Sequence, residues 1–240
     1  MTPKPTSAPL YLLPAPLGEA DFSQLFPPFN LEIINSINHY IVEELRTARR
    51  LLRKMNINKS IDQLEFEVLN EHFKNVDYNA LLKPCLDGNP MGLFSEAGTP
   101  CVADPGNRVV EKAHQLGIQV IPLIGPNSIL LALMASGFNG QNFAFNGYLP
   151  VERGAREKQI AFLENLTKKT GQTQIFFETP YRNNHLLESV LNVCAPETRL
   201  CVACNLTTEQ QTVVSQSIAK WKKSKADFYK VPVIFLLARG

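Results

Sequence analysis

The sequence has no run of the ~18–20 consecutive apolar residues that a membrane-spanning helix needs, so no such helix is expected. It has no G-x-G-x-x-G either, the glycine spacing that lets a strand-to-helix turn approach a dinucleotide pyrophosphate. The four histidines, His39, His72, His114 and His185, are scattered singly. Five cysteines, an odd number without an export signal, argue for reduced thiols. Cys201 and Cys204 have CxxC spacing, but they lie in a strand-like apolar run with no second Cys/His pair nearby. They read as core thiols, and no metal is expected. Charge of one sign is also scarce. With a formal net charge of +2, affinity for nucleic acid must come from local patches. Met1 to Pro9 holds one lysine and three prolines with no apolar core, which excludes a signal peptide and suggests a flexible leader on a cytoplasmic protein.

What is present is ample apolar material, 45% of 240 residues, enough for one or two packed cores. Strand signals alternate with helical ones, which implies an α/β fold with a mostly parallel sheet. Strands are expected at Leu10–Leu13, around Tyr40, before Ser95, at 118–123, at 173–178, at 200–204, at 211–215 and at 231–238. Helices are expected at 44–55, 76–85, 109–116, 155–166 and 181–193. Residues 129–136 read as a helix apolar all round and therefore buried, with Asn127 or Ser128 as its cap. A boundary near residues 121–126 divides the chain into a leader (1–9), an N-terminal α/β domain (10–122) and a C-terminal α/β domain (123–240).

The most informative stretch is 92–106. A short apolar run enters Ser95-Glu96-Ala97-Gly98-Thr99-Pro100, and the turn Asp104-Pro105-Gly106 follows before the next helix. Loops of small residues at strand ends of an open α/β sheet are where ligands settle. Two ordinary tight turns would give the same spacing.

These motifs, with Ile124-Gly125-Pro126-Asn127-Ser128 and Gly147-Tyr148-Leu149-Pro150, resemble the tetrapyrrole methylase superfamily, and within it the bacterial 16S rRNA (cytidine-2'-O)-methyltransferases. That family carries Ser-Asp-Ala-Gly-Thr-Pro, Asp-Pro-Gly, Pro-Gly-Pro-Ser and Gly-Phe-Leu-Pro in the same order. Tyr11 to Gly18, Val42 to Arg46 and Phe177 to Arg182 are weaker echoes that extend the likeness from about Leu10 to the C-terminus, as a short form without the C-terminal extension. The resemblance implies two α/β lobes with S-adenosylmethionine (SAM) held in the cleft between them, and a homodimer. It implies that Pro14, Ala97, Gly98, Thr99, Val102, Asn127, Ser128, Phe177, Asn205 and Pro232 contact the cofactor. The acceptor would be ribosomal RNA, free or in the small ribosomal subunit.

A ribose 2'-hydroxyl is a poor nucleophile until its proton is drawn off, so a carboxylate near it is expected. Glu43, Glu96 and Glu178 are the catalytic candidates, with Asp104 as a further carboxylate that could instead cap a helix. Glu43 and Glu178 have Arg46 and Arg182 three and four residues downstream, a spacing that also suits structural ion pairs. Arg46, Arg49, Arg50 and Arg53 fall on neighbouring turns of one predicted helix and form a stripe suited to phosphate contacts or to solvation. Around Trp221 the lysines are read as a solvated face, with the indole anchored in the core.

The sequence departs from the family pattern at Glu96, where Asp is usual, at Glu44 and Leu45, and at Cys204 to Thr208, where the charges usual in the family are lost. A corrin or porphyrin acceptor on the same fold, or a SAM-binding ribosome-associated protein without catalysis, are the rival readings.

Overall fold

The computed structural model describes residues 7–69 and 76–240; His72 and the first six residues of the expected leader lie outside them. The chain forms two compact units, Met1–Pro126 and Asn127–Gly240.

The first unit contains β1 (Leu10–Leu13), α1 (Phe22–Leu25), α2 (Pro28–Ser36), β2 (His39–Val42), α3 (Leu45–Lys54), β3 (Glu65–Val68), α4 (Tyr78–Leu81), α5 (Lys83–Leu86), β4 (Met91–Phe94), α6 (Asn107–Gln115) and β5 (Val120–Pro122). Its five strands lie in the order β3-β2-β4-β1-β5, every pair parallel. Strands β1, β2 and β4 are nearly continuous apolar runs because both faces are covered, whereas the edge strand β3, with Glu65 and Glu67, is largely exposed. Leu13, Tyr40 and Phe94 pack with Ile34 of α2 and Leu52 of α3. Leu10, Ile41 and Met91 pack with Cys85 of α5 and Val109 of α6. The expected helix at 76–85 is two short helices, because Pro84 cannot donate the amide bond that a continuous helix would need there. Ala8 is already tied to the fold, its amide donating to the Cys85 carbonyl at 2.8 Å.

The second unit contains α7 (Ser128–Ser136), β6 (Phe143–Tyr148), α8 (Arg153–Thr170), β7 (Thr173–Phe177), α9 (Asn183–Val193), β8 (Arg199–Cys204), β9 (Thr212–Ser217), α10 (Ile218–Trp221) and β10 (Val233–Ala238). The strand order is β6-β7-β10-β8-β9. Only β6 and β7 run parallel; the other three pairs are antiparallel, so this sheet departs from the mostly parallel expectation. Strand patterning reports burial, whereas pairing direction is set by how the connections return, and a turn suffices between β8 and β9.

One sheet face packs on α8 and α9 through Ile160, Leu163, Phe176, Leu187 and Phe235. Trp221 belongs to that core, as expected, and its indole N–H donates to the Leu200 carbonyl at 2.9 Å. Cys201 and Cys204 sit buried on β8 as core thiols, and burial pushes Cys201 up to about 12. Helix α7 corrects the expectation of all-round burial: Ile129, Ala132 and Leu133 are buried, but Leu130 is 49% and Met134 79% exposed. Among the described residues no helix is long and apolar enough to cross a membrane.

Candidate functional site

In the first unit the parallel strands β2, β4 and β1 close together, Leu13 paired with Phe94 and Ile41 with Leu93 at the end of β4. The segments that leave them therefore emerge at one edge, the carboxyl ends where ligands bind in open α/β sheets. Glu43 follows β2, Ser95 and Glu96 follow β4, and Pro14 follows β1. The main chains of Ala15 and Gly98 bridge these loops, each amide donating to the other's carbonyl at 2.8 and 3.0 Å. Gly125, after β5, lies so close to Pro14 that a Cβ there would stand 2.3 Å from the proline Cγ. Sequence-distant Pro14, Glu43, Glu96 and Gly98 are thus brought to one edge of one sheet.

The loop after β4 is strained. Gly98, Cys101, Ala103 and Gly106 all have φ between 61° and 120°, and two of them carry side chains. Left-handed non-glycine residues cost about 1–3 kcal/mol each and cluster at ligand sites. Ser95 is buried, and its single hydroxyl proton is shared between the Ala97 carbonyl at 2.8 Å and the Asp104 carboxylate at 2.7 Å. Asp104 therefore clamps the loop and does not cap α6, whose N-cap is Gly106 with no side-chain bond. The Cys101 thiol within the loop is pushed up to about 11 by burial and by the Asp104 carboxylate, so it is no nucleophile at neutral pH. In this loop Ala97 and Val102 are exposed and Thr99 is half-buried.

Helix α3 begins at the same edge. Glu44 is its N-cap, accepting from the amides of Arg46 at 2.9 Å and Thr47 at 2.6 Å. These bonds, with the Thr47 hydroxyl, hold the Glu44 carboxyl below its ordinary value. Arg46, Arg50 and Arg53 are exposed along one face of the helix. Arg49 differs: it is half-buried, its guanidinium lies 5.4 Å from the Phe66 ring centroid, and its buried Nε has no hydrogen-bond partner.

In the second unit Phe177 closes β7, Asn205 follows β8, and Pro232 precedes β10. The Asn205 amide donates to the Pro232 carbonyl at 3.1 Å, and Phe177 pairs with Ile234, so these three candidates share one end of the sheet. Asn205 and Thr207 both have positive φ, and the Thr207 hydroxyl is buried without a hydrogen-bond partner. Glu178 is buried beside them. Its Oε1 accepts from the Arg182 guanidinium at 2.6 Å and from the Thr179 amide at 2.6 Å. Asn127 caps α7, accepting from the Leu130 amide at 3.0 Å, with Ser128 as the first helical residue.

Three features escaped the sequence reading. The Ser95–Asp104 clamp joins residues nine apart within a loop. Strain at Cys101 and Ala103 is not announced by residue type. Phe145 and Tyr148 pack on Phe177, with centroids 5.4 and 4.1 Å away, because a bulge at Asn146-Gly147 resets β6. A Gly within a strand pattern is the signal that could have pointed to that bulge.

The sequence profile described as Tetrapyrrole (Corrin/Porphyrin) Methylases matches residues 31–221. A "Ribosomal RNA small subunit methyltransferase I" from Vibrio cholerae is 32% identical over 218 residues, 90% of this chain and 71% of the relative. The protein of the same description from Haemophilus influenzae is 30% identical over 210 residues, 87% of this chain and 70% of the relative. Among solved structures, the methyltransferase CobJ aligns with a TM-score of 0.63 at 14% identity, covering 98% of this chain and 95% of that one, a likeness of fold.

Proposed function

The chain belongs to the tetrapyrrole (corrin/porphyrin) methylases, and from that premise we propose that it is a SAM-dependent methyltransferase of small-subunit ribosomal RNA that acts on a ribose 2'-hydroxyl. The observation that carries the reading is the similarity, over nine tenths of the chain, to proteins described as small-subunit rRNA methyltransferases.

The residues fit the cofactor. The buried, unpartnered Thr207 hydroxyl beside left-handed Asn205 suits a polar group of an adenosine, and Phe177 with Tyr148 offers aromatic surface to its ring. On the first unit Pro14, Ala97, Gly98, Thr99 and Val102 supply backbone and small side chains that allow close approach. Asn127, Ser128 and Pro232 complete the proposed set. When bound, SAM supplies a methyl group on a sulfonium, electrophilic enough for in-line displacement.

What the chain must add is alignment and removal of one proton from the acceptor hydroxyl. Glu43, Glu96 and Glu178 are the carboxylates available. We assign the proton to Glu43, which leaves β2 at the same sheet edge as Pro14 and Gly98, and a substrate-orienting role to exposed Glu96, while Glu178, accepting from Arg182 and Thr179, suits a structural acceptor. Arg46, Arg50 and Arg53 contact phosphates, with Arg49 behind them, and a homodimer is the proposed assembly.

The test is tritium transfer from labelled SAM to 16S rRNA and to small subunits lacking the modification, beside a porphyrin precursor. Label at a 2'-O-methyl nucleotide supports the reading. Label in the porphyrin alone overturns the acceptor, and SAM binding without transfer to any acceptor overturns catalysis.

A further inference from the structure

Two loops at one end of the second sheet present a pair of exposed tyrosines with a lysine against both. Tyr181, after β7, is 63% exposed, and Tyr229, before β10, is 53% exposed. Their rings meet edge to face with centroids 5.9 Å apart. Lys230 Nζ stands 5.3 Å from the Tyr229 centroid and 5.9 Å from that of Tyr181. The arrangement is built from backbone outward. The Lys230 amide donates to the Pro180 carbonyl at 2.9 Å, joining the two loops, and Lys230 is held at φ 62°, a conformation disfavoured for a side-chain-bearing residue. Asp227 accepts from the Tyr229 amide at 2.9 Å and from the Asn184 side chain at 2.7 Å, and Asn184 in turn accepts from the Phe228 amide at 2.8 Å.

The same anchor shapes the neighbouring basic segment. The Trp221 and Phe228 rings meet at 6.2 Å inside the core, pinning both ends of the exposed segment that carries Lys222, Lys223 and Lys225. Between residues 220 and 230 there are five lysines against one aspartate. The nearby carboxylate Glu178 is buried and neutralised by Arg182, so it does not offset this charge. The indole near the lysines is thus an internal post, while the accessible rings are the two tyrosines. A core-forming role would bury those rings. A surface that pairs exposed π-faces with cations is suited to unpaired bases joined by phosphates.

We propose that Tyr181, Tyr229 and Lys230 form a contact for single-stranded RNA, the tyrosines stacking on unpaired bases and Lys230 with the adjacent lysines facing the phosphates. This rests on the rRNA reading above and assigns it a second-unit surface distinct from the arginines of α3.

The test is fluorescence anisotropy of the full chain with a short labelled oligouridylate across a salt series, with heparin as a polyanion that has no bases. Tyr181→Ala and Tyr229→Ala should each weaken oligouridylate about tenfold, the scale of one base–aromatic stack, and leave heparin unchanged. The Tyr→Phe variants should restore binding, since the ring face is kept. Lys230→Ala should lower the slope of log K against log salt by about 0.7, the release expected for one phosphate contact on a single strand. SAM affinity by calorimetry should not move. RNA affinities within twofold of wild type, or equal losses for heparin, or a parallel loss of SAM binding, would each overturn the proposal. Methyl transfer to rRNA by the wild type with tyrosine-independent RNA binding sinks this surface and leaves the function. Tyrosine-dependent binding without any transfer to rRNA does the reverse.

Discussion

The Ser95 hydroxyl lies 2.7 Å from the Asp104 carboxylate, closing a loop in which Gly98, Cys101 and Ala103 are all left-handed. Strain of that kind persists only where the surroundings over-determine it, and this hydrogen bond to a charged group is one restraint beside the Ala15–Gly98 main-chain bridge. Asp104→Asn and Ser95→Ala should each remove about 1.5–3 kcal/mol of restraint. We expect SAM affinity to fall about tenfold or more by calorimetry and the thermal midpoint to fall with it. Unchanged SAM affinity in both variants would show that the clamp does not shape the cofactor loop.

Gly106 ends that loop at φ 120°, where a Cβ would stand 2.7 Å from Leu93 Cδ2 and 3.0 Å from Cys101 Sγ. Leu93 is 2% exposed and has no free direction to yield. Gly117 is also left-handed, at φ 70°, but has no atom within 4 Å of its built Cβ. Gly106→Ala should therefore cost more, by roughly 1–3 kcal/mol for overpacking, on top of a backbone conformation further from the left-handed helical region than that of Gly117. Denaturation midpoints of the two variants measure this order, and equal losses would mean that Leu93 repacks freely.

The first unit was largely legible because its signals are local. The helix expected at 44–55 is Leu45–Lys54, with Glu44 and Met55 as its two caps; in the second unit Asn127 caps α7 by its side chain, an equally local signal. The parallel sheet followed from strands separated by helices. What escaped depends on partners far along the chain or on conformations open to several residue types. Val233–Ala238 reads as a buried strand in either direction, and only its neighbours β7 and β8 make it antiparallel. Leu130 and Met134 continue an apolar run whose sequence does not say which face meets the sheet. The candidate carboxylates could be named from the chain, but the engagement of Glu178 by Thr179 and Arg182 required the folded loop.

That engagement gives Glu178 a structural role. Glu178 is buried and holds two donors through one oxygen, so Glu178→Gln should lower stability by about 1–3 kcal/mol, the range for a partly exposed pair with a buried carboxylate. Glu43→Gln should cut turnover about 100-fold in protein that remains folded, as loss of a general base does. Initial rates of methyl transfer beside melting curves decide it. A large rate loss confined to Glu178→Gln would move the proton to that residue.

Glu164 gives the second unit an acid-sensitive joint. Burial raises its carboxyl, but the Thr198 hydroxyl, the Ala195 amide and Lys168 outweigh that and hold it below its ordinary value of 4.5. The carboxylate accepts from the Ala195 amide at 2.8 Å and pairs with Lys168 at 3.1 Å, tying α8 to the chain entering β8. A depressed folded value means that the stabilisation is present above the unfolded value and is lost as pH falls through the folded one. The wild type should therefore lose stability as pH drops below about 4.5, the ordinary glutamate value. Glu164→Gln should be less stable at neutral pH by roughly 2 kcal/mol and show a flatter acid limb. Parallel acid limbs in the two proteins would exclude Glu164 as the source.

The arginines of α3 should not behave alike. Arg46, Arg49, Arg50 and Arg53 recur at helical spacing on one face, yet only Arg49 is half-buried, lying over Phe66, which itself stacks on Tyr40 with centroids 5.5 Å apart. A cation over an aromatic face contributes about 0.5–2 kcal/mol, depending on how far it is desolvated. Arg49→Ala should therefore lower the thermal midpoint and disturb the edge formed by β2 and β3. Arg50→Ala and Arg53→Ala should leave the midpoint in place, since exposed arginines away from any pairing contribute little to stability. Their effect should appear in RNA binding, where each lost phosphate contact lowers the salt slope of log K by about 0.7–0.9. A salt series on 16S rRNA fragments, run beside melting curves, separates the two roles. If Arg50→Ala and Arg53→Ala leave both slope and affinity unchanged, the exposed face of α3 is solvated and the RNA is held elsewhere on the chain.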